Sequence, residues 1–214
     1  MIRSSLFNRT ALGMAVAFGL VAGGIGVSTP ALAKEKEKKE KPAAKPSNSK
    51  EFVQAYGPVQ ATIKAGQDLK AKKASADEIK AAVANGPAQL AAAEAQIKSP
   101  MDRLIAGDAA FKLGQMVNDK ALMARGLNNM LDSGQLEGAS RDQVAFFVGS
   151  FAYEDKNYPR AIETLTSVVN TNYADDSAAE LLGQSHFASG NPVAGLAAID
   201  NAIKVRTAAG GAVP

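Results

Sequence analysis

From Glu51 onward the apolar positions recur with helical spacing, and no stretch alternates β-branched with polar residues as a strand would. Met123, Leu127, Met130 and Leu131 stand at i, i+4, i+7 and i+8, which predicts a core stripe along one helix. The punctuation between such runs is that of helix ends. Ser75-x-x-Glu78 and Ser140-x-x-Gln143 read as capping boxes, and Ser99-Pro100 and Asn85-Gly86-Pro87 as starts with proline in the first turn. Asn118-Asp119 ends one helix and caps the next, which closes near Ser133-Gly134. Asn157 before Tyr158-Pro159 and Asn191 before Pro192 open two more. Connections this short force consecutive helices into antiparallel pairs. The pattern predicts an all-α domain over residues 51–206 and a fraying tail over 207–214.

A longer period lies over the helical one. Gly149 returns as Gly183, Tyr158 as Pro192 and Leu165 as Ile199, all at one constant offset, while most other positions drift. Val148, Ala161 and Val168 return as Leu182, Gly195 and Ala202 at the same offset. Small residues recur where two helix backbones would meet, and branched ones where space between units would need filling. Leu113-Gly114 precedes Val148-Gly149 by one position more than this offset, with the Met123 helix as the second half of a degenerate upstream unit.

Over Ser140 to Arg206 the chain resembles the tetratricopeptide repeat family, whose unit is a helix pair of about 34 residues. It departs from the family pattern at Ala145 and Ala179, where Trp is usual, and at Ala152 and His186, where Tyr is usual. The resemblance implies stacked antiparallel helix pairs forming a short superhelix. The leading helices would line its concave face with Gln143, Phe146, Ser150, Tyr153 and Glu154, then Ser177, Glu180, Gln184 and Phe187. The Lys and Asn with which some members clamp a peptide carboxylate are absent there. Phe146, Tyr153 and Phe187 are the candidate aromatic anchors, since aromatics concentrate at interface hot spots.

The first residues belong to a different class of segment. Arg3 and Arg9 precede an uncharged run from Ala11 to Val27, and Ala31-Leu32-Ala33 follows as a small-x-small site. That layout predicts a signal peptide over 1–33, cut after Ala33, and a periplasmic protein. The alternative is an inner-membrane anchor, which the five glycines of the run and the lysines just beyond it disfavour. Residues 34–50 hold seven Lys and three Glu with Pro42 and Pro46 and no large apolar residue, a composition that predicts a disordered linker.

That linker changes how the charge is read. The whole chain is +3, but residues 51–214 carry 15 basic and 18 acidic residues. A nucleic-acid reader needs a basic face on the folded part, and no such excess exists. Envelope contact through the Lys/Glu run is the most that the basic residues suggest.

Candidate chemistry is sparse. With no Cys and one His, thiol chemistry and a His-rich metal site are excluded. His186 fills the Tyr slot of the repeat, and its neighbour Ser185 points to another side of the helix. Asp175-Asp176 and Glu154-Asp155 fall at helix ends, where Asp175 and Asp176 favour the N-terminal dipole. The one GGIG lies in the leader, so no phosphate loop is expected. The expectation is an exported, non-enzymatic module without a cofactor that binds a protein or peptide. An envelope lipid or cell-wall adaptor is the alternative, and a hydrolase lacks a nucleophile–base pair.

Overall fold

The computed structural model describes residues 47–208 and Gly210, and over them the protein is all-α. The leader and residues 34–46, read above as signal peptide and linker, lie outside the described residues. Among the described residues there are nine helices: α1 (Lys50–Ala71), α2 (Ala76–Ala82), α3 (Gly86–Glu94), α4 (Pro100–Val117), α5 (Lys120–Asp132), α6 (Gly138–Glu154), α7 (Tyr158–Asn170), α8 (Asp175–Ala188) and α9 (Pro192–Ala208).

The caps follow from local chemistry. Ser75 accepts from Glu78 N while the Glu78 carboxylate returns to Ser75 N, and Ser99 does the same with Asp102. Asp119, Asn157 and Asn191 each accept from a backbone N–H three residues on. The box expected at Ser140 does not start a helix. α6 begins at Gly138 after an extended Glu137, because the Glu137 carbonyl already closes the first turn on Arg141 N. The edges of the flanking segments move as well. Ser49 is hydrogen-bonded to Asp102 and Lys50 opens α1, so both belong to the folded part rather than to the Lys/Glu run. Thr207 and Ala208 complete α9 instead of belonging to a tail.

Two packing regions share the chain. Phe52, Val59 and Ile63 of α1, Val83, Leu90 and Ala93, and the small face Ala106, Ala109, Ala110 and Leu113 of α4 form one core, which Leu122 of α5 joins. The second lies downstream, where Ala152, Ala161, Leu165 and Leu182 join α6, α7 and α8, and Ala145, Val168 and Ala178 join the same three helices at another level. Leu131 of α5 packs against that second level, and Arg160 of α7 reaches back to Asn128 and Asp132 of α5, 2.7 Å from the latter. The expected stripe on α5 is inside: Leu127 and Met130 are buried, Met123 and Leu131 half-buried.

Helices α4/α5, α6/α7 and α8/α9 are close antiparallel hairpins. A Cβ at Gly107 would meet Met130 and Gly126 O, while one at Gly114, nearer the turn, would meet Met123, as the two arms of a hairpin require. The last two hairpins repeat in detail. Lys156 and Gly190 both adopt positive φ, at 60° and 82°. Asn157 N donates to Ala152 O and Asn191 N to His186 O, at 2.8 and 2.9 Å. Both turns therefore end their first helix with a left-handed residue and reuse the freed carbonyl, at the offset that relates Gly149 to Gly183. The α4/α5 turn is shorter, with left-handed Asn118 directly before the cap Asp119. Gly114 is accordingly not the structural equivalent of Gly149, and α4 and α5 also meet backbone to backbone where Gly107 faces Gly126.

Candidate functional site

The residues expected to hold the repeats together occupy the hairpin contacts. Val148, Gly149, Ala161, Leu165 and Val168 are buried, as are Leu182, Gly183, Gly195 and Ala202. Ile199 and His186 are placed less uniformly. Ile199 is half-buried, and His186 is buried at its Nδ1. A Cβ on Gly149 would stand 2.6 Å from Leu165 Cγ, and one on Gly183 would stand 2.8 Å from Ile199 Cδ1. Ile199 is the repeat equivalent of Leu165, so the same contact is made twice.

The expected concave face is carried by α6 and α8, which contact each other directly. No Cα of α4 comes within 8 Å of one in α6. Phe146 and Tyr153 are half-buried and pack on the Leu165–Leu182 cluster, and the Tyr153 ring lies 6.0 Å from that of Tyr158. Of the three candidate anchors only Phe187, at 42% exposure, projects from the surface. Ser150 and Gln143 are half-buried, and the Ser150 hydroxyl donates to Phe146 O at 2.8 Å. Glu154 at the end of α6 pairs with Lys120 at the start of α5. On α8, Ser177 is exposed, and Gln184 donates to Glu180 at 3.3 Å. Glu180 and Asp176 together hold Arg206 of α9. The face thus joins an aromatic, apolar side on α6 to a polar strip on α8 in which Asp176 and Glu180 share the Arg206 guanidinium.

The residues considered for chemistry are otherwise engaged. The Ser185 hydroxyl is buried and donates to Leu181 O at 2.8 Å, back along its own helix. His186 Nδ1 is buried with no hydrogen-bond partner among the described residues. No group of three or more His, Cys, Asp or Glu side chains among the described residues is placed to hold a metal ion. A cavity of about 280 Å³ lies between the start of α4 at Lys98, Ser99 and Arg103 and the end of α5 at Asp132 and Ser133, and it includes none of the expected site residues.

Sequence reading missed two buried carboxylates in the first core. Asp102, fully buried, accepts from Ser49 N and Oγ at 2.9 and 2.7 Å and from Lys98 N and Ser99 N at 3.0 Å. Burial alone would raise its carboxyl. The bonds from Lys98, Ser49 and Ser99 outweigh that and hold it below the ordinary range. The Ser99-x-x-Asp102 spacing carried the capping half of this signal, but not the tie to Ser49. Asp108 is buried beside Lys112, 2.5 Å away, with its second oxygen unpartnered among the described residues. Burial, and then the Asp108 charge, push the Tyr56 hydroxyl up to about 12. Both carboxylates lie on α4, which is outside the α6/α8 face.

No family model matches the chain, and no curated protein is similar to it. Among the described residues, no helix is long and apolar enough to cross a membrane.

Proposed function

We propose that the chain is a non-enzymatic, tetratricopeptide-like interaction module exported to the bacterial envelope, which binds a protein or peptide partner along the face made by α6 and α8. The supporting observation is the recurrence of one complete hairpin. The left-handed turn residue, the carbonyl bond beside it and the glycine-to-branched-residue contact all return at the same offset. A hairpin copied this closely places α6 and α8 in equivalent positions, and arrays of such units present their leading helices as one continuous surface. Exposed Ser177 and Phe187 and half-buried Gln184 then form the reachable part of that surface.

A photo-crosslinking amino acid tests the reading in intact cells. Placed at Ser177 or Gln184, it should capture one discrete protein adduct, identified by mass spectrometry. At Thr166, exposed on α7 away from the proposed face, the same group should capture none of it. Equal capture from all three positions, or none from the first two, rejects the α6/α8 face as the partner site.

A further inference from the structure

The outward face of α9 is the strongest unexplained feature of the surface. Leu196 is 64% exposed and Ile203 36%, and their i, i+7 spacing sets them on one side of the helix. Shifted back by one repeat, these two positions are Ile162 and Val169. Both are half-buried and pack against the cluster that contains Leu182 of α8. Val169 also lies against the cluster that contains Ala178. In the preceding unit, then, the face equivalent to Leu196–Ile203 is covered, and what covers it is a helix.

We infer that the Leu196–Ile203 face of α9 is a docking surface for an amphipathic helix of another polypeptide, seated as α8 is seated on α7. The inference stands apart from the α6/α8 face and needs no partner there. The seam that α8 shows to α7 defines the chemistry of the occupant. It carries a small residue, Ala178, and a leucine, Leu182, one turn on, with Leu181 beside it. The small residue admits the branched side chain opposite, and the leucine fills the next gap. The rim leaves no cation free for an acidic occupant. Asp200 is paired with Lys204 at 2.6 Å, and Arg206 is held by Asp176 and Glu180, so both cations are paired and one carboxylate charge is in excess. That excess distinguishes the face from a surface for anionic lipid. A second copy fits less well. It would set Leu196 and Ile203 against their own kind, bulk on bulk, where α7 receives an alanine.

The test uses the full chain and a synthetic, helix-stapled peptide with the α8 sequence, Asp175–Ala188, read by fluorescence anisotropy. The parent chain should bind the peptide, and the double variant Leu196→Gln/Ile203→Gln should bind it about tenfold more weakly or worse. A peptide carrying Ala178→Glu and Leu182→Glu should not bind. Both chain substitutions are at exposed positions, and circular dichroism checks that the fold is kept. If the pair perturbs it, Leu196→Gln alone, at the more exposed position, carries the same comparison. Absence of binding by the parent, or equal binding by parent and variant, overturns the inference. Self-association of the parent that the double variant abolishes in sedimentation also overturns it, and assigns the face to a second copy.

Discussion

A Cβ on Gly149 would stand 2.6 Å from the Cγ of Leu165, closer than two carbon atoms approach without a bond. α6 and α7 therefore touch through a backbone on one side and a leucine on the other. The relationship recurs between Gly183 and Ile199, and it explains why a small residue and a branched one keep their places while their neighbours change. Glycine here provides space, since neither residue has a positive φ.

The contacts differ in what a new methyl group would strike, which ranks the substitutions. Gly126→Ala would bring its Cβ within 2.5 Å of Phe111 N and 2.6 Å of Gly107 O, both backbone. Neither atom can turn aside, so the cost is expected at the upper end of overpacking, about 3 kcal/mol. Gly149→Ala meets mainly the Leu165 side chain, which can change rotamer, and about 1–2 kcal/mol is expected. Gly183→Leu adds four carbons against Ile199 and should cost about as much as Gly126→Ala. Urea unfolding measures all three. If Gly183→Leu proves as stable as the parent, the hairpin contact assigned to the repeat is wrong.

Helix ends are legible in the sequence because a cap is decided within three or four residues. Ser99, Asp119, Asn157 and Asn191 each bond a backbone N–H three positions on, and each is visible from its neighbours. The Gly107–Gly126 approach is not, since it depends on the length of the Asn118-Asp119 turn, and one residue removed there shifts the facing pairs of both helices. Asp102 is illegible for a related reason, because the residue it holds, Ser49, lies 53 positions away. On the candidate face, residue identities are readable but exposure is not. Phe146 and Phe187 look alike in the sequence, yet one packs inward on the Leu165 cluster and the other projects.

The matched turns allow a stabilising prediction. Lys156 occupies the left-handed position at φ 60°, where its equivalent is Gly190 at φ 82°. A side chain with a Cβ is disfavoured there by about 1–2 kcal/mol, and the extra freedom glycine gains when unfolded offsets part of that. Lys156→Gly should raise stability by about 0.5–1 kcal/mol. Gly190→Lys should lower it by a similar amount. Paired thermal melts check both signs.

Export is read from the leader alone. Intact-mass measurement of the protein from a periplasmic extract should give an N-terminus at Lys34, after the Ala31-Leu32-Ala33 site. Recovery of chains retaining Met1 in the membrane fraction would instead assign the segment as an anchor.

Asp102 gives the pH-dependent prediction. Its Oδ1 accepts from Ser49 N, and its Oδ2 accepts from Ser49 Oγ, Lys98 N and Ser99 N, so the carboxylate ties the entry of α1 to the start of α4. Asp102→Asn keeps the shape, but only one of the two atoms can still accept. Its amide N–H groups must face either Ser49 N–H or the three donors at the other oxygen. Leaving buried donors unmet beside a lost charge should cost about 2 kcal/mol at neutral pH. The folded-state carboxyl titrates below its unfolded value, which is about 3.9 for aspartate. Its contribution is therefore whole above about pH 4 and is lost as pH falls through the folded pKa. The asparagine variant has no such titration at this position. The gap between parent and variant should accordingly be constant from about pH 5 to 7 and narrow below about pH 4 as the parent loses its advantage. Chemical unfolding of both chains across that range measures the gap. A gap that widens in acid would mean that the folded-state carboxyl of Asp102 titrates above its unfolded value, contrary to the four donors around it.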